Sequence, residues 1–419
     1  MSGETELKTR EPESDYVGSL ATRTRLKCLL GPRLFARLEE DWPRFSEGEM
    51  ARRRSAVEAA MQEAGLDHAL LLGEDRKGSP LQWLTGWPAA KDTFVVLSRG
   101  ARDTLFVKNP NNVPLAARVA QAAEVRWSPE GPLKSAIDEL LRRGAKGKRI
   151  GIMGGLSFRN AEQLETKVGK PHDLSGAYTR LRMLKSPEEL DFLRVGAALS
   201  DLGVEALARE LRPGLTEHEL SDVIERAYVP WGGMTQIHYI GATQMAAPDC
   251  CVPAQLPSMR RIAAGDVVFT EIASTFWSYS GQVLRSFTVA SDPTPLYRDL
   301  FAVAQAAHDA VMKVLRAGCR PEEVLDAASP IIDRAGFTIC DDLLHGYGGG
   351  YLPPILGTWQ RPSGPLPDFA IEANMTVVVQ PSVVTKDGKA GVQTGGLTLV
   401  TETGAEPLQL APTGFIRVG

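Results

Sequence analysis

LRPGLTEHELSDVIERA (211–227) and LRAGCRPEEVLDAASPIIDRAG (315–336) state one plan twice within a single chain. Each follows a longer helical stretch, the first opening at Ser186 and the second near Leu296. Beyond each lies a pair of strand-like runs. These are GDVVFTEIAS (265–274) with GQVLRSFTVA (281–290) in the first half, and NMTVVVQPSV (374–383) with GVQTGGLTLV (391–400) in the second. Six residues on from Gly265 stands Glu271, and six on from Asn374 stands Gln380. If the halves are related by a twofold, these two residues are mates. Strand side chains alternate between faces, so both would turn into one central cleft.

Working outward, Ser186-Pro187-Glu188-Glu189 joins an N-cap serine, a proline at the first helical position and a glutamate three residues beyond the cap. Leu190, Leu193, Ala197, Leu202 and Leu207 give that helix a buried stripe, which stops before Pro213-Gly214. Thr216 with Glu219 caps the next helix. Upstream, EGEMARRRSAVEAAMQEAGLD (47–67) has helical periodicity and HALLLGE follows as a strand. Strand-like DTFVVLS, DTLFVKN and KRIGIMG then alternate with helical PLAARVAQAA and SAIDELLRRG. The expected fold class is α/β (α+β): a leader with a helix around Phe35 to Glu40 at 1–45, a mixed domain at 46–183, and a pseudo-twofold domain at 184–419.

Composition narrows the function. A chain of 419 residues with 43% hydrophobic content suits two cores, and a net charge of −4 without aromatic-interleaved basic runs argues against a nucleic-acid partner. No apolar run reaches spanning length and the first residues lack a secretory core, so the expectation is a cytoplasmic chain without a membrane partner. The five cysteines have no C-x-x-C spacing, and Cys250 and Cys251 have no base motif nearby, which favours reduced, unremarked thiols.

SPLQWLTGWP (79–88), the junction LRMLKSPEELDFLR (181–194), and the ordered GDVVFTE, LHGYG (344–348) and GVQTGGLTLVTETG (391–404) resemble the creatinase/aminopeptidase P superfamily. That pita-bread family includes methionine aminopeptidases, prolidases, creatinase and ectoine hydrolase, and the resemblance covers most of the chain. It implies a creatinase-like N-terminal domain, a pita-bread catalytic domain and a homodimer in which the first domain covers the partner's cleft. Trp83, Trp87 and the Asn109–Asn112 turn are residues that such an arrangement would bring to that cleft. Family metallopeptidases hold two ions with two aspartates, a histidine and two glutamates. The matching positions here are Glu271, Gln282, His345, Gln380 and Gly395 or Gly396. Neutral amides and hydrogen leave too little negative charge to offset two dications, so the expectation is no metal and no cofactor.

On this reading the chain is a metal-independent hydrolase cleaving an amide, amidine or urea-like C–N bond in a small nitrogenous compound, close to creatinase and ectoine hydrolase. The alternatives are an Xaa-Pro dipeptidase-like metallopeptidase and a non-catalytic binding protein. Glu271 lies in apolar FTEIA, where desolvation raises a carboxyl toward the range of a general acid or base, and it is also a candidate nucleophile. His345, in glycine-rich LHGYGGGYLPP, is the second catalytic candidate, suited to protonating a leaving nitrogen. Substrate-binding candidates are His238, Gln282, Gln380, Gln393, Tyr279, Tyr351 and Trp87, the glutamines because an amide can both donate and accept. Creatinase's catalytic histidine has no counterpart in VPAQLPSM, where Gln255 stands. Arg285 reads as structural, and Asp249, Asp341 and Asp342 as polar lining, caps or turns.

Overall fold

The computed structural model describes residues 20–73, 79–88 and 92–419. In the first domain, strands β1 (His68–Leu72), β2 (Phe94–Ser98), β3 (Asp103–Val107), β4 (Ala123–Trp127), β5 (Ile150–Met153) and β6 (Pro171–Asp173) form a mixed sheet in the order β4-β3-β2-β1-β5-β6. β1, β2 and β3 are buried along their whole lengths, which is why they read as apolar runs with polar residues only at their ends rather than as alternating ones.

The second domain is built on a nine-stranded sheet. The domain's strands are β7 (Met234–Gln244), β8 (Asp266–Phe276), β9 (Tyr279–Val289), β10 (Thr338–Ile339), β11 (Leu344–Tyr347), β12 (Tyr351–Leu356), β13 (Thr376–Val379), β14 (Val383–Val384), β15 (Gly395–Val400), β16 (Ala405–Pro407) and β17 (Ile416–Val418). Of these, β10 and β14 are paired apart from the large sheet as a two-stranded one. The main path runs β12-β11-β13-β15-β9-β8-β7, so β15 and β9 join the two sequence halves by hydrogen bonds at the seam. Helices Pro187–Glu210 and Glu217–Tyr228 serve the first half, and Pro295–Val314 and Pro321–Arg334 the second. This is the repeat read from the sequence, with one difference. Pro381 cannot donate to a ladder, and β13 stops just before Gln380, so the second-half strands are shorter than their counterparts.

Helix Pro187–Glu210 is capped as expected: Ser186 Oγ accepts from Glu189 N at 3.2 Å, and Glu189 returns the contact to Ser186 N at 3.1 Å. It lies directly against β9 because two glycines face each other. A Cβ at Gly281 would come within 2.2 Å of Ala197 Cα, and one at Gly196 within 2.5 Å of the Tyr279 carbonyl. Ser200 and Ser274 fill the contact with hydrogen bonds to Gly281 O and Gly196 O. Arg285, buried in β9, donates to the carbonyls of Leu284, Gly395, Ala411 and Pro412, and so holds the C-terminal segment onto the seam.

The leader differs from expectation. Its helix spans Leu20–Phe35 with a break at Gly31, and the stretch read as helical carries only a 3₁₀ turn at Ala36–Glu39 that continues from it; residues 1–19 lie outside the described residues. Leu26, Leu30, Leu34 and Phe35 enter the same core as helix Pro187–Glu210, and Arg25 pairs with Glu205 at 2.6 Å. Physically this helix belongs to the second domain.

Between the domains a buried ionic cluster replaces a plain apolar contact. Glu189 Oε1 accepts from Trp83 Nε1 at 2.9 Å and from Tyr279 Oη at 2.8 Å. Arg53, 1% exposed, lies 3.6 Å from Glu189 and donates to Glu49 at 2.6 Å, to Trp83 O at 2.8 Å and to Tyr279 Oη at 3.1 Å. Burial pushes the Glu189 carboxyl up, but Arg53 and Arg182 outweigh it and hold the group ionised, below the usual carboxylate range. Removing the charge at constant shape leaves Arg53 with Glu49 as its carboxylate, so Glu189→Gln is expected to lower unfolding stability by about 3 kcal/mol. Urea unfolding measures this, and a loss under about 1 kcal/mol would show that the joint does not depend on the charge.

Candidate functional site

Glu271 sits midway along β8, with its side chain on the face shared by its cross-strand neighbours Tyr239 of β7 and Leu284 of β9. Gln282 stands opposite Ala273, two residues on from Glu271, and so shares that face. The Gln282 amide is the centre of the cluster. Its Nε2 donates to Glu271 Oε1 at 2.5 Å and to Gln380 Oε1 at 3.1 Å, binding residues from both halves across the seam. Gln380 reaches on to Asp341 Oδ2 at 3.5 Å. The two strand mates predicted by counting therefore meet through one amide.

His345 is fully buried in β11 at a β-bulge. Its Nδ1 is 3.1 Å from Gly346 O, and a carbonyl can only accept, so the proton is on Nδ1 and Nε2 presents its lone pair. That Nε2 has no hydrogen-bond partner among the described residues. Tyr351 stacks over the ring at 3.8 Å and 14°, and Tyr347 meets it edge-on at 5.6 Å. Burial pulls the imidazole down to about 4, against smaller upward pulls from Gly346 O, Asp341 and Gln380, so it is neutral at neutral pH. Glu271 moves the other way: burial, then Asp341, pushes its carboxyl up to about 8.

Other candidates lie elsewhere. His238 pairs with Ile272, hence faces away from Glu271 into the helical layer, where its Nε2 meets Tyr228 Oη at 2.9 Å. Tyr239, one residue on, is the side chain that shares the face of Glu271. Tyr279 is spent on Glu189 and Arg53 in the domain joint. Gln393 Oε1 accepts from Ser382 Oγ at 2.7 Å, bracing the turn after Gln380. Trp87 is buried on the first domain, beside the tip of the β8–β9 hairpin. Tyr351 is at the site, and it also lines a cavity of about 330 Å³ between the domains with Gly348–Gly350 and Arg182. Sequence reading underweighted Asp341 and missed Tyr239 and Tyr347. A period of two counted back from Glu271's partner strand is the signal for Tyr239, and it needs the register.

The paired-ion centre implied by the family does not fit these residues. The space between Glu271 and Gln380 holds the two N–H bonds of an amide rather than facing oxygens. Among the described residues no three His, Cys, Asp or Glu side chains are grouped to hold a metal. At the last ligand position Gly395 has φ +118°, and a Cβ there would come within 1.9 Å of Val379 O, so a carboxylate cannot be restored without moving the backbone. At Gly396 a Cβ would meet Gln409 Oε1 at 2.9 Å.

Residues 191–402 match metallopeptidase family M24, and residues 53–184 match the creatinase/prolidase N-terminal domain. A Xaa-Pro dipeptidase of Pyrococcus furiosus is 23% identical over 275 residues, covering 65% of this chain and 76% of that one. Two solved structures show the fold: a Xaa-Pro dipeptidase from Bacillus anthracis (TM-score 0.74, 19% identity, 88% of this chain and 100% of that one) and the dipeptidase PepE from Mycobacterium ulcerans (TM-score 0.72, 22% identity, 90% and 99%). These findings correct two expectations. The match to a metallopeptidase family and to relatives named Xaa-Pro dipeptidases speaks against a metal-independent C–N hydrolase of the creatinase and ectoine hydrolase kind and favours the dipeptidase alternative, and the same family match overturns the expectation of no cofactor. The expectation rested on five positions, whereas the family matches extend over residues 53–184 and 191–402.

Glu271 yields a pH prediction. Its carboxyl titrates at 4.5 in a solvated chain and at about 8 when folded, so the folded state keeps a proton that the unfolded state has lost between those values. The stability from that proton is fully present below 4.5, falls by about 1.4 kcal/mol per pH unit through the window, and is gone above about 8. Glu271→Gln has no such slope. Its stability relative to the native chain should rise steadily from about pH 5 to about pH 8 in urea unfolding, and a pH-independent difference would contradict a neutral buried acid.

Proposed function

We propose that this chain, which belongs to metallopeptidase family M24 and carries a creatinase/prolidase N-terminal domain, hydrolyses the C–N bond of dipeptide-sized substrates as a Xaa-Pro dipeptidase-like enzyme. The observation that carries the reading is a buried acid and a buried lone pair brought to one seam by the two halves of a peptidase fold. Gln282 donates to Oε1 of Glu271, so the proton of the neutral carboxyl rests on Oε2, where it can be given to a carbonyl oxygen or a leaving nitrogen. Nε2 of His345 can accept from a water or from the substrate's amino group. Asp341 supplies negative charge on the same side, suited to a cationic amino terminus. No step is assigned to paired ions, because the donor set does not match them.

A second reading, ligand binding without turnover, is favoured by the closed Glu271–Gln282–Gln380 chain, which spends on itself the groups that would polarise a substrate. One experiment separates the two. Purified protein is incubated with Xaa-Pro dipeptides, with and without added manganese, and free proline and heat of binding are both followed. Hydrolysis that falls by at least about 100-fold in Glu271→Ala supports the enzyme. Binding without proline release shifts the function to the second reading, and absence of both removes Xaa-Pro dipeptides from either. The homodimer remains part of the proposal, and light scattering at twice the chain mass would support it.

A further inference from the structure

At the tip of the β8–β9 hairpin the second domain reaches into the first, and a cavity of about 390 Å³ opens there between Trp42, Trp87, Trp277, Leu115 and Met234. Trp42 and Trp277 stand edge to face, with ring centroids 6.4 Å apart at 86°. No Lys, Arg, Asp or Glu lines the cavity among the described residues. Trp277 and Ser278 form the two-residue turn with φ of +50° and +69°, the left-handed region in which Asn and Gly sit at less cost. The turn gives no reason for an indole at this position. Ser278 Oγ donates to Gln82 Oε1 at 2.6 Å, and this anchors the tip so that the Trp277 ring forms a wall of the cavity.

We infer that this cavity binds a small quaternary ammonium compound carrying an oxygen acceptor, at a site separate from Glu271. Indole faces carry negative quadrupole charge and are the strongest aromatic partners of an organic cation. Other ligand classes find less here. An organic anion would need a cationic side chain, and a metal ion or primary ammonium would need carboxylates or several free oxygens; the described residues of the lining offer no charged side chain of either sign. A quaternary ammonium has no N–H to satisfy, so its demand is for aromatic faces alone. The indole N–H of Trp87, a residue 6% exposed, has no partner among the described residues and would donate to the ligand's oxygen. From Glu271 to Trp277 along β8 is about six residues, roughly 20 Å of strand, so the two sites are distinct.

The probe is choline, compared with 3,3-dimethylbutan-1-ol, which has the same shape without the charge, in isothermal titration of the full chain. Choline is expected to bind at least about ten-fold more tightly than the alcohol. Trp42→Leu and Trp277→Leu should each weaken choline by about ten-fold, while Trp127→Leu, at an exposed site on β4, should leave it unchanged. If either leucine variant fails to fold, Trp42→Phe keeps an aromatic ring at the position and should still weaken choline by about three-fold, since phenyl is the weaker partner. Equal binding of choline and the alcohol, no choline binding by the native chain, or full choline affinity in the folded tryptophan variants would overturn the site.

Discussion

A single carboxylate, Glu189, ties the molecule together. It closes the cap of helix Pro187–Glu210, takes the indole N–H of Trp83 from the first domain and the hydroxyl of Tyr279 from β9, and offsets the buried Arg53. Removing charges from water is costly, and a buried ion is tolerated only when partners with good geometry surround it. Here the partners come from three separate stretches of chain, so the charge is satisfied only when both domains are in place. Stability and domain orientation are therefore the same requirement at this point. Lys185 shows the strain of the neighbourhood: burial, then Arg182, draws its amine down to about 7 despite Glu189.

The position of the site follows from that joint. Helix Pro187–Glu210 lies flush on β9 through Gly196 and Gly281, which fixes β9 and with it Gln282, Leu284 and Arg285. Successive residues of β9 then do opposite work. Arg285 lies buried on the opposite face of the strand and gathers the carbonyls of Gly395, Ala411 and Pro412, while Gln282 and Leu284 share the face of Glu271. Because β15 pairs with β9 at Gly395 and Gly396, the second half arrives in register and Gln380 comes within reach of Gln282.

What could be read beforehand was whatever is local or periodic. The Ser186–Glu189 cap, the Thr216–Glu219 cap and the Glu271–Gln380 relation each need only a few residues of spacing, and the structure has all three. Facing in a strand was not readable in the same way. Choosing His238 over Tyr239 inverts a whole strand face, and the bulge between Thr235 and Ile237 removes any chance of counting in from the strand's start. Tyr279 and Trp87 stood as substrate-binding candidates through the family resemblance, but the first is held by ions that lie more than eighty residues away in sequence. The leader helix was expected but placed too late in the chain, because its apolar side is matched to helix Pro187–Glu210, a partner that local periodicity does not announce.

The amide at Gln282 explains how the seam between the halves stays packed around buried polar groups. Several carboxylates facing one another without cations would repel and resist burial, and one answer is to become neutral. Gln282 and Gln380 are neutral by composition, and Glu271 is neutral by proton uptake, with one amide bridging the two oxygens that would otherwise oppose each other. The cluster is then held by hydrogen bonds within the described residues, leaving Gln282 Oε1 and His345 Nε2 as its unspent acceptors. Those two atoms stand beside the protonated Glu271 carboxyl as buried polar groups that the cluster itself does not satisfy. A ligand bringing donors to both would satisfy buried groups that are otherwise costly to leave unmet, so its recognition is set by hydrogen-bond need as much as by shape.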